Sequence, residues 1–242
     1  MPLNYVNSIP LHYQLAKEVE DKIYSGQYNE KIPSERELMD EFHVSRSTVR
    51  QSISQLVQAG VLERKRGMGT FVKIKPIHDW LGNLKSTNET IEEMDMIPGA
   101  KLIESRLVEL DDELQSITGL KKAYYFKRLR YANHLPLGIE SHYYPIELGQ
   151  QLLQYDLNKE SFYHLIEEKL GVKSFNADQN ITANIISDED AKLMNVSNKL
   201  CMLHTNRKII DINGQFVEYE NAVYRSDMYS FNISLSRGFN IE

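Results

Sequence analysis

Apolar residues in the first sixty positions recur at helical spacing. Leu11, Leu15, Val19 and Ile23 lie four apart, on one side of a first helix that Gly26 can end. Ser34 followed by Glu37 has the spacing of a capping box, in which each side chain bonds the other residue's amide, so a short second helix should run to about Phe42. His43-Val44 makes a tight turn, and Ser45 is a good N-cap for a third helix ending near Gly60. In that helix Val49, Ile53, Leu56 and Val57 form a buried stripe, which leaves Arg46, Ser47, Arg50, Gln51 and Ser54 facing outward. After Gly60 the period changes, and Val61 to Val72 reads as two short strands around a turn holding Gly67 and Gly69.

The pattern lapses between Lys73 and about Asn88, where Pro76 and the polar run Lys85-Ser86-Thr87-Asn88 mark a linker. The expected division is a first domain over 1–75, a linker over 76–90 and a second domain over 91–242. Strand-like stretches follow at Lys101 to Glu109, Ala123 to Ala132, Leu137 to Tyr144, Phe175 to Ile186, Leu200 to Asp211 and Gln215 to Tyr224. Helical runs fall at Asp111 to Thr118, Phe162 to Leu170 and Asp188 to Met194, and Asn213-Gly214 is a strong hairpin signal. The second half is therefore expected to be an α+β domain built on a mixed, mostly antiparallel sheet.

Composition narrows the classes. With 242 residues, 41% hydrophobic and 26% charged, the chain can form one large globular domain or two ordinary ones. It has no run of eighteen apolar residues, and its start, MPLNYVNSIPLHYQ, lacks a secretory pattern, so a cytoplasmic protein with no membrane partner is expected. The single cysteine, Cys201, sits in an apolar run and is expected to be a buried, inert thiol. A net charge of -6 argues against nucleic acid until its distribution is considered. Positions 46 to 75 hold Arg46, Arg50, Arg64, Lys65, Arg66, Lys73 and Lys75 against Glu63 alone, whereas the 165 residues after position 77 carry 17 basic and 25 acidic side chains. An acidic body with a confined basic patch fits a DNA-reading module on a sensor, and an ordinary solvated face has the same composition.

The outward face of the third helix carries two guanidiniums and several hydroxyls, groups that can read guanine edges and hold phosphates in a major groove. Arg64, Lys65 and Arg66 beside the glycine turn make a basic wing whose backbone can approach the sugar-phosphate chain. In the second domain Arg128 and Arg130 are two apart on a strand, so both project from one face, where they could clamp a phosphate or carboxylate. Ser161 and Tyr163 stand at a predicted helix start, which also favours an anion. The competing reading of these Arg and Glu residues is a set of ordinary surface ion pairs. The seven histidines are scattered, and His12, His43 and His204 receive no role. No metal-ligand spacing, phosphate-binding glycine loop or nucleophile elbow occurs, so no metal, cofactor or catalytic residue is expected and the chain does not read as an enzyme.

PSERELMDEFHVSRSTVRQSISQLVQAGVLERKRGMGTFV resembles the DNA-binding domain of GntR-type regulators, with the capping box, VSRSTVR and GMGTFV in order. The resemblance implies a winged helix-turn-helix in which Arg36, Ser45, Arg46, Ser47, Thr48 and Arg50 meet DNA, with Gly67 and Gly69 at the wing tip. Members often carry a basic residue between those glycines, where this chain has Met68. FKRLRYANHLPLGIESHYYP, ESFYHLIEEKLGV and VEYENAVYRSDMYSFNI resemble the UTRA effector domain of the HutC branch, a fold related to chorismate lyase. By resemblance to sugar-phosphate sensors, Arg128, Arg130, Ser161 and Tyr163 would hold a phosphate, and Glu140, Glu218 and Tyr224 would meet sugar hydroxyls. Relatives also use a Ser or Thr in the loop entering this domain. Here that segment, STNETIEEMDMIPGAK, is shortened before Pro98, and Thr87 and Thr90 are both candidates.

Together the resemblances imply a homodimeric repressor of sugar or amino-sugar genes. It would bind a palindromic double-stranded DNA operator and be released by a small anionic effector, with a phosphorylated sugar favoured over a carboxylate or fatty acid. A chorismate-lyase-like enzyme is the rival class, and the missing catalytic equipment weighs against it.

Overall fold

The computed structural model describes residues 9–24, 27, 28, 30–73, 76–133 and 135–236. The expected helix stop at Gly26 and the basic Lys75 lie outside these residues. The chain divides into two compact units, with the main boundary between Lys75 and Pro76.

The N-terminal unit runs α1 (Leu11–Tyr24), α2 (Glu35–Phe42), α3 (Arg46–Gln58), β1 (Leu62–Lys65) and β2 (Gly69–Val72). Both halves of the capping box form at the start of α2: Ser34 N donates to Glu37 Oε2 at 2.7 Å and Glu37 N to Ser34 Oγ at 3.3 Å. His43 takes the left-handed conformation, φ 53°, which stops α2 and turns the chain into α3. Ser45 caps α3, accepting from Thr48 N at 3.2 Å. Leu15, Val19 and Ile23 from α1 pack with Leu38 from α2 and Val49, Ile53 and Leu56 from α3. The helical period therefore places one stripe of each helix in a shared core. β1 and β2 pair antiparallel from Leu62↔Val72 to Lys65↔Gly69. Gly67 and Gly69 close their turn at φ 76° and 122°, backbone that L side chains rarely adopt.

The C-terminal unit begins with β3 (Ile77–Trp80) and α4 (Thr87–Glu92), followed by β4 (Pro98–Glu109), α5 (Asp112–Thr118), β5 (Lys122–Ala132) and β6 (Leu135–Tyr144). Next come α6 (Ile146–Leu152), α7 (Phe162–His164), which continues as a π-helical turn over Leu165–Lys169, β7 (Asn176–Ile185), α8 (Asp188–Met194), β8 (Cys201–Ile210), β9 (Phe216–Arg225) and β10 (Tyr229–Asn232). Six strands form an antiparallel sheet in the order β4-β5-β6-β9-β8-β7. Against it Phe126 and Tyr144 pack with Leu148 and Leu152 of α6, Phe162 of α7 and Leu165 and Ile166 of the π turn. The register sets Arg128 opposite Glu140 and Arg207 opposite Glu220, so the strands deliver charged side chains in facing pairs.

Four expectations change. The segment read as an irregular linker contains β3, which pairs in parallel with β10, from Ile77↔Tyr229 to Trp80↔Asn232. The polar run at its end opens α4 through a second capping box, with Ser86 N donating to Glu89 Oε2 at 2.8 Å and Glu89 N to Ser86 Oγ at 3.2 Å. Cys201 is exposed, not buried: strand alternation turns its neighbour Met202 into the core and Cys201 outward. α6 also lies in a stretch for which no helix was expected. Among the described residues no helix is long and apolar enough to cross a membrane.

Candidate functional site

Two surfaces carry the candidate chemistry. On the N-terminal unit Arg36, Ser45, Arg46, Ser47 and Arg50 are exposed around the start of α3, and Thr48 is half-buried with its hydroxyl 2.9 Å from Ser45 Oγ. Arg50 Nε lies 3.4 Å from a Glu35 carboxylate in an exposed pair, an interaction weak enough to be exchanged for another anion. Arg64, Lys65, Arg66, Gly67, Met68 and Gly69 form the exposed wing, and Arg64 ties it to the helix by donating to Ser54 Oγ at 3.3 Å. Lys65 Nζ sits 4.7 Å over the Phe71 ring. Ser52, on the opposite side of α3, is buried with its hydroxyl 2.8 Å from the carbonyls of both Thr48 and His12, which locks α3 to α1.

The second surface is internal. Arg128, Arg130 and Glu140 are 2%, 1% and 1% exposed, which removes the reading of ordinary surface ion pairs. They line a small polar cavity with Thr87, Ser161 and Tyr163, joined by Ser86, Asn88, His142, Phe162, Arg207 and Glu220. Its open space is about 10 Å³, room for about one water. Ser86, Asn88, Ser161 and Tyr163 also line an adjoining cleft of about 480 Å³, within the range of small-molecule sites. Arg128 donates to the Glu160 carbonyl at 3.1 Å and to Glu140 Oε2 at 3.4 Å, with its guanidinium 3.7 Å over the Phe162 ring. Arg130 donates to Asn88 Oδ1. Its Nε is 3.5 Å from Glu140 Oε2, close enough to attract but outside hydrogen-bond alignment. Arg128 Nε, Arg130 Nε, Arg207 Nε and the Tyr163 hydroxyl are buried donors that lack a hydrogen-bond partner in the protein. Such orphaned donors are costly and point to a ligand's acceptors.

Thr87 and Thr90 now separate. Thr87 Oγ1 donates to Glu140 Oε1 at 2.7 Å and lies 3.2 Å from the Tyr224 hydroxyl, which itself donates to Glu140 at 2.9 Å. Thr90 Oγ1 bonds the Ser86 carbonyl of its own helix and does not line the cavity. Glu218 lies behind the lining, accepting from Tyr144 Oη at 2.7 Å and standing 2.6 Å from His142 Nδ1.

Electrostatics bias the cluster toward positive charge. Burial and then neighbouring Arg130 push the Arg128 guanidinium down to about 10, so it remains charged at neutral pH beside a like charge. Burial works against ionising Glu140, yet Arg130, His142 and Arg128 together hold it well below the usual carboxylate range. Burial likewise disfavours charge on His142, but bonds to Glu140 and Glu218 raise it above the ordinary imidazole value. Burial raises Glu220 despite Arg207 Nη2 at 2.6 Å. Three guanidiniums and an imidazole biased toward its protonated form thus face two carboxylates biased toward ionisation and a third biased toward neutrality. Glu140, His142 and Glu220 are close enough to hold a metal ion, but Arg128 and Arg130 lie against Glu140 and Arg207 against Glu220, and three guanidiniums make the site hostile to a cation.

Ser86, Asn88, His142, Phe162, Arg207 and Glu220 escaped the sequence reading. The two-residue strand period that flagged Arg128 and Arg130 also links Glu140 to His142 and Glu218 to Glu220, and that signal was present.

A capped three-helix unit with a basic hairpin, joined to a sheet domain with a buried charge cluster, has the architecture of a DNA-binding transcriptional regulator. Residues 11–72 match the model of bacterial regulatory proteins of the gntR family, residues 93–230 match the UTRA domain, and the chain belongs to this family. It is 33% identical to the HTH-type transcriptional repressor NagR of Bacillus subtilis (strain 168), over 96% of this chain and 97% of that protein. To the mannosyl-D-glycerate transport/metabolism system repressor MngR of Escherichia coli (strain K12) it is 28% identical, over 94% and 97%. The crystal structure of PhnF from Mycobacterium smegmatis shares the fold at a TM-score of 0.65 and 22% identity, covering 93% of this chain and all of that one. The family and these relatives are DNA-binding transcriptional regulators, not enzymes, and the chain is a transcriptional repressor.

Proposed function

We propose that the repressor binds a palindromic operator as a homodimer and is released by a small polyhydroxylated anion, a sugar phosphate in preference to a carboxylate or fatty acid. The observation that carries this reading is the pair of buried guanidiniums, Arg128 and Arg130, with orphaned Nε donors in the same cavity as the orphaned Tyr163 hydroxyl and Ser161. Phosphate offers oxygens to several donors at once. Glu140, with Tyr224 and Thr87 bonded to it, would serve the sugar hydroxyls, Glu218 would support them from behind through His142, and Thr90 would only support the helix. The charged and hydroxylated lining disfavours a fatty acid.

At the other end, Arg36, Ser45, Arg46, Ser47, Thr48 and Arg50 would contact one half-site, and Arg64, Lys65, Arg66, Gly67 and Gly69 the adjacent backbone. A two-fold operator requires recognition helices about 34–36 Å apart, which a dimer supplies. The N-terminal unit up to Lys75 would read DNA, and the unit that begins at Pro76 and includes β3 and Thr87 would sense the effector.

A thermal-shift series tests the effector class with glucosamine 6-phosphate, glucose 6-phosphate, unphosphorylated glucosamine, a dicarboxylate and a fatty acid. A ligand at a hundred times its Kd stabilises the folded state by about 2.7 kcal/mol. The sugar phosphates are expected to raise the melting temperature and release operator DNA. A response to the dicarboxylate or the fatty acid alone would replace this reading.

A further inference from the structure

We propose that Tyr229 and Asp79 form a relay joining the buried charge cluster to β3, the strand that follows the DNA-binding unit in the chain. The regulatory sense of this relay rests on the effector reading above. It starts at Tyr224, whose hydroxyl donates to Glu140 and lies beside Thr87. The Tyr224 ring stacks on Tyr229 with centroids 4.4 Å apart and planes 12° from parallel. Tyr229 Oη donates to Asp79 Oδ2 at 3.0 Å. Asp79 is in the middle of β3, which is held to β10 by Ile77 N donating to the Met228 carbonyl at 2.8 Å and by Leu81 N donating to that of Asn232 at 2.9 Å.

Both tyrosines are buried, so neither ring can move alone. Gly138 fits the same arrangement: a Cβ there would fall 2.6 Å from the Tyr224 ring and 2.4 Å from the Val223 carbonyl, so only glycine leaves the ring its place. A ligand hydroxyl that takes over the bond to Glu140 releases Tyr224. The stacked pair then shifts, and the shift reaches Asp79. Arg207 adds a second tie, bonding Glu220 in the cluster and reaching the Lys85 carbonyl between β3 and α4 at 3.5 Å. Asp79 and Tyr229 are positioning residues, since neither lines the cavity.

Hydrogen exchange of the full-length protein tests the relay without a ligand. Tyr224→Phe removes the hydroxyl at the cluster end and keeps the ring. It is expected to speed exchange of the β3 amides about tenfold in the natural background, as loss of a buried hydrogen bond to a charged group does. In a Tyr229→Phe background the same change should add less than about twofold. Thr87→Val replaces Tyr224→Phe if that variant does not fold. Unchanged β3 exchange, or equal increments in both backgrounds, overturns the relay. So does equal acceleration of the β4–β5 ladder by Tyr229→Phe alone, which would mark a merely structural tyrosine. Failure of both sugar phosphates to bind would overturn the effector reading and leave the cycle's result standing, whereas binding that leaves β3 exchange unchanged would overturn the relay alone.

Discussion

The N-terminal unit keeps its basic groups at the surface, where Arg50 meets Glu35 with a side chain 65% exposed, while the C-terminal unit buries Arg128, Arg130, Glu140 and His142 in one cluster. An exposed guanidinium gains little from any one partner and is easily transferred, which suits contact with a long polyanion whose affinity comes from many weak phosphate contacts. A buried guanidinium has lost its water, so every unsatisfied donor is costly and every added acceptor counts. On the function proposed above, the same residue type would serve a macromolecule on one unit and a small ligand on the other, with burial as the difference.

Breaking the buried side should have the largest effect. Arg130 does most to keep Glu140 ionised against burial, and Arg130→Met leaves that carboxylate with weaker compensation. Removing one member of a buried pair typically costs about 3–5 kcal/mol. Urea unfolding followed through Trp80, the chain's one tryptophan, should show a loss of that size in the C-terminal unit. Operator affinity of the folded fraction should change less than about twofold. An unaltered midpoint would mean that the cluster is not held by its ion pairs.

The two regions were unequally legible in the sequence. Local signals specified the N-terminal unit: Ser34 and Glu37, the turn at His43 and the glycines at 67 and 69 each act within a few residues of themselves. The six sheet strands fell within a few residues of their expected ends because strand alternation is also local. β3 and β10 were missed because four-residue strands carry almost no pattern and their parallel pairing joins positions some 150 residues apart. Ser86-x-x-Glu89 carried the signal used at Ser34, and the surrounding polar run was read as linker instead. In the cluster, Arg128 and Arg130 were visible from strand period, and the same period links Glu140 to His142. Arg207 has no local signature, because its role comes from Glu220 on the neighbouring strand.

On the exposed side Arg50→Ala should leave stability nearly unchanged and weaken specific operator binding by about 1–3 kcal/mol, the worth of a bidentate base contact. A titration against operator and against unrelated duplex separates the roles. Equal losses on both would reduce Arg50 to a phosphate contact and make the exposed face uniform in function.

Acidity should distinguish the units next. The raised His142 contributes stability that is fully present below its ordinary value of 6.5 and is lost as pH rises through its higher folded value. Glu140 and Glu218, lowered in the fold, contribute stability present above their ordinary 4.5 and lost as pH falls through their folded values. The C-terminal unit should therefore be most stable in the mildly acidic range between those values and weaken toward alkaline pH, with raised Glu220 reinforcing the decline. His142→Gln should flatten the alkaline limb in urea unfolding curves followed through Trp80. A wild-type curve flat from about pH 5 to about pH 9 would contradict the proton held by His142.

The smallest expected effect is at the wing tip. Met68 is 62% exposed between two glycines whose backbone can approach a phosphate chain closely, yet it brings no charge to the tip. Met68→Lys adds one cation without touching the core, so the melting temperature should hold. Operator affinity should rise a few-fold at low salt and the gain should fade as salt increases, because the new contact acts by releasing one counterion. A plot of log affinity against log salt should steepen by about one phosphate contact, equally for operator and unrelated duplex. A gain confined to the operator would mean that the tip reads bases, and the exposed surface would then hold two specific elements where the comparison of the units assigns it one.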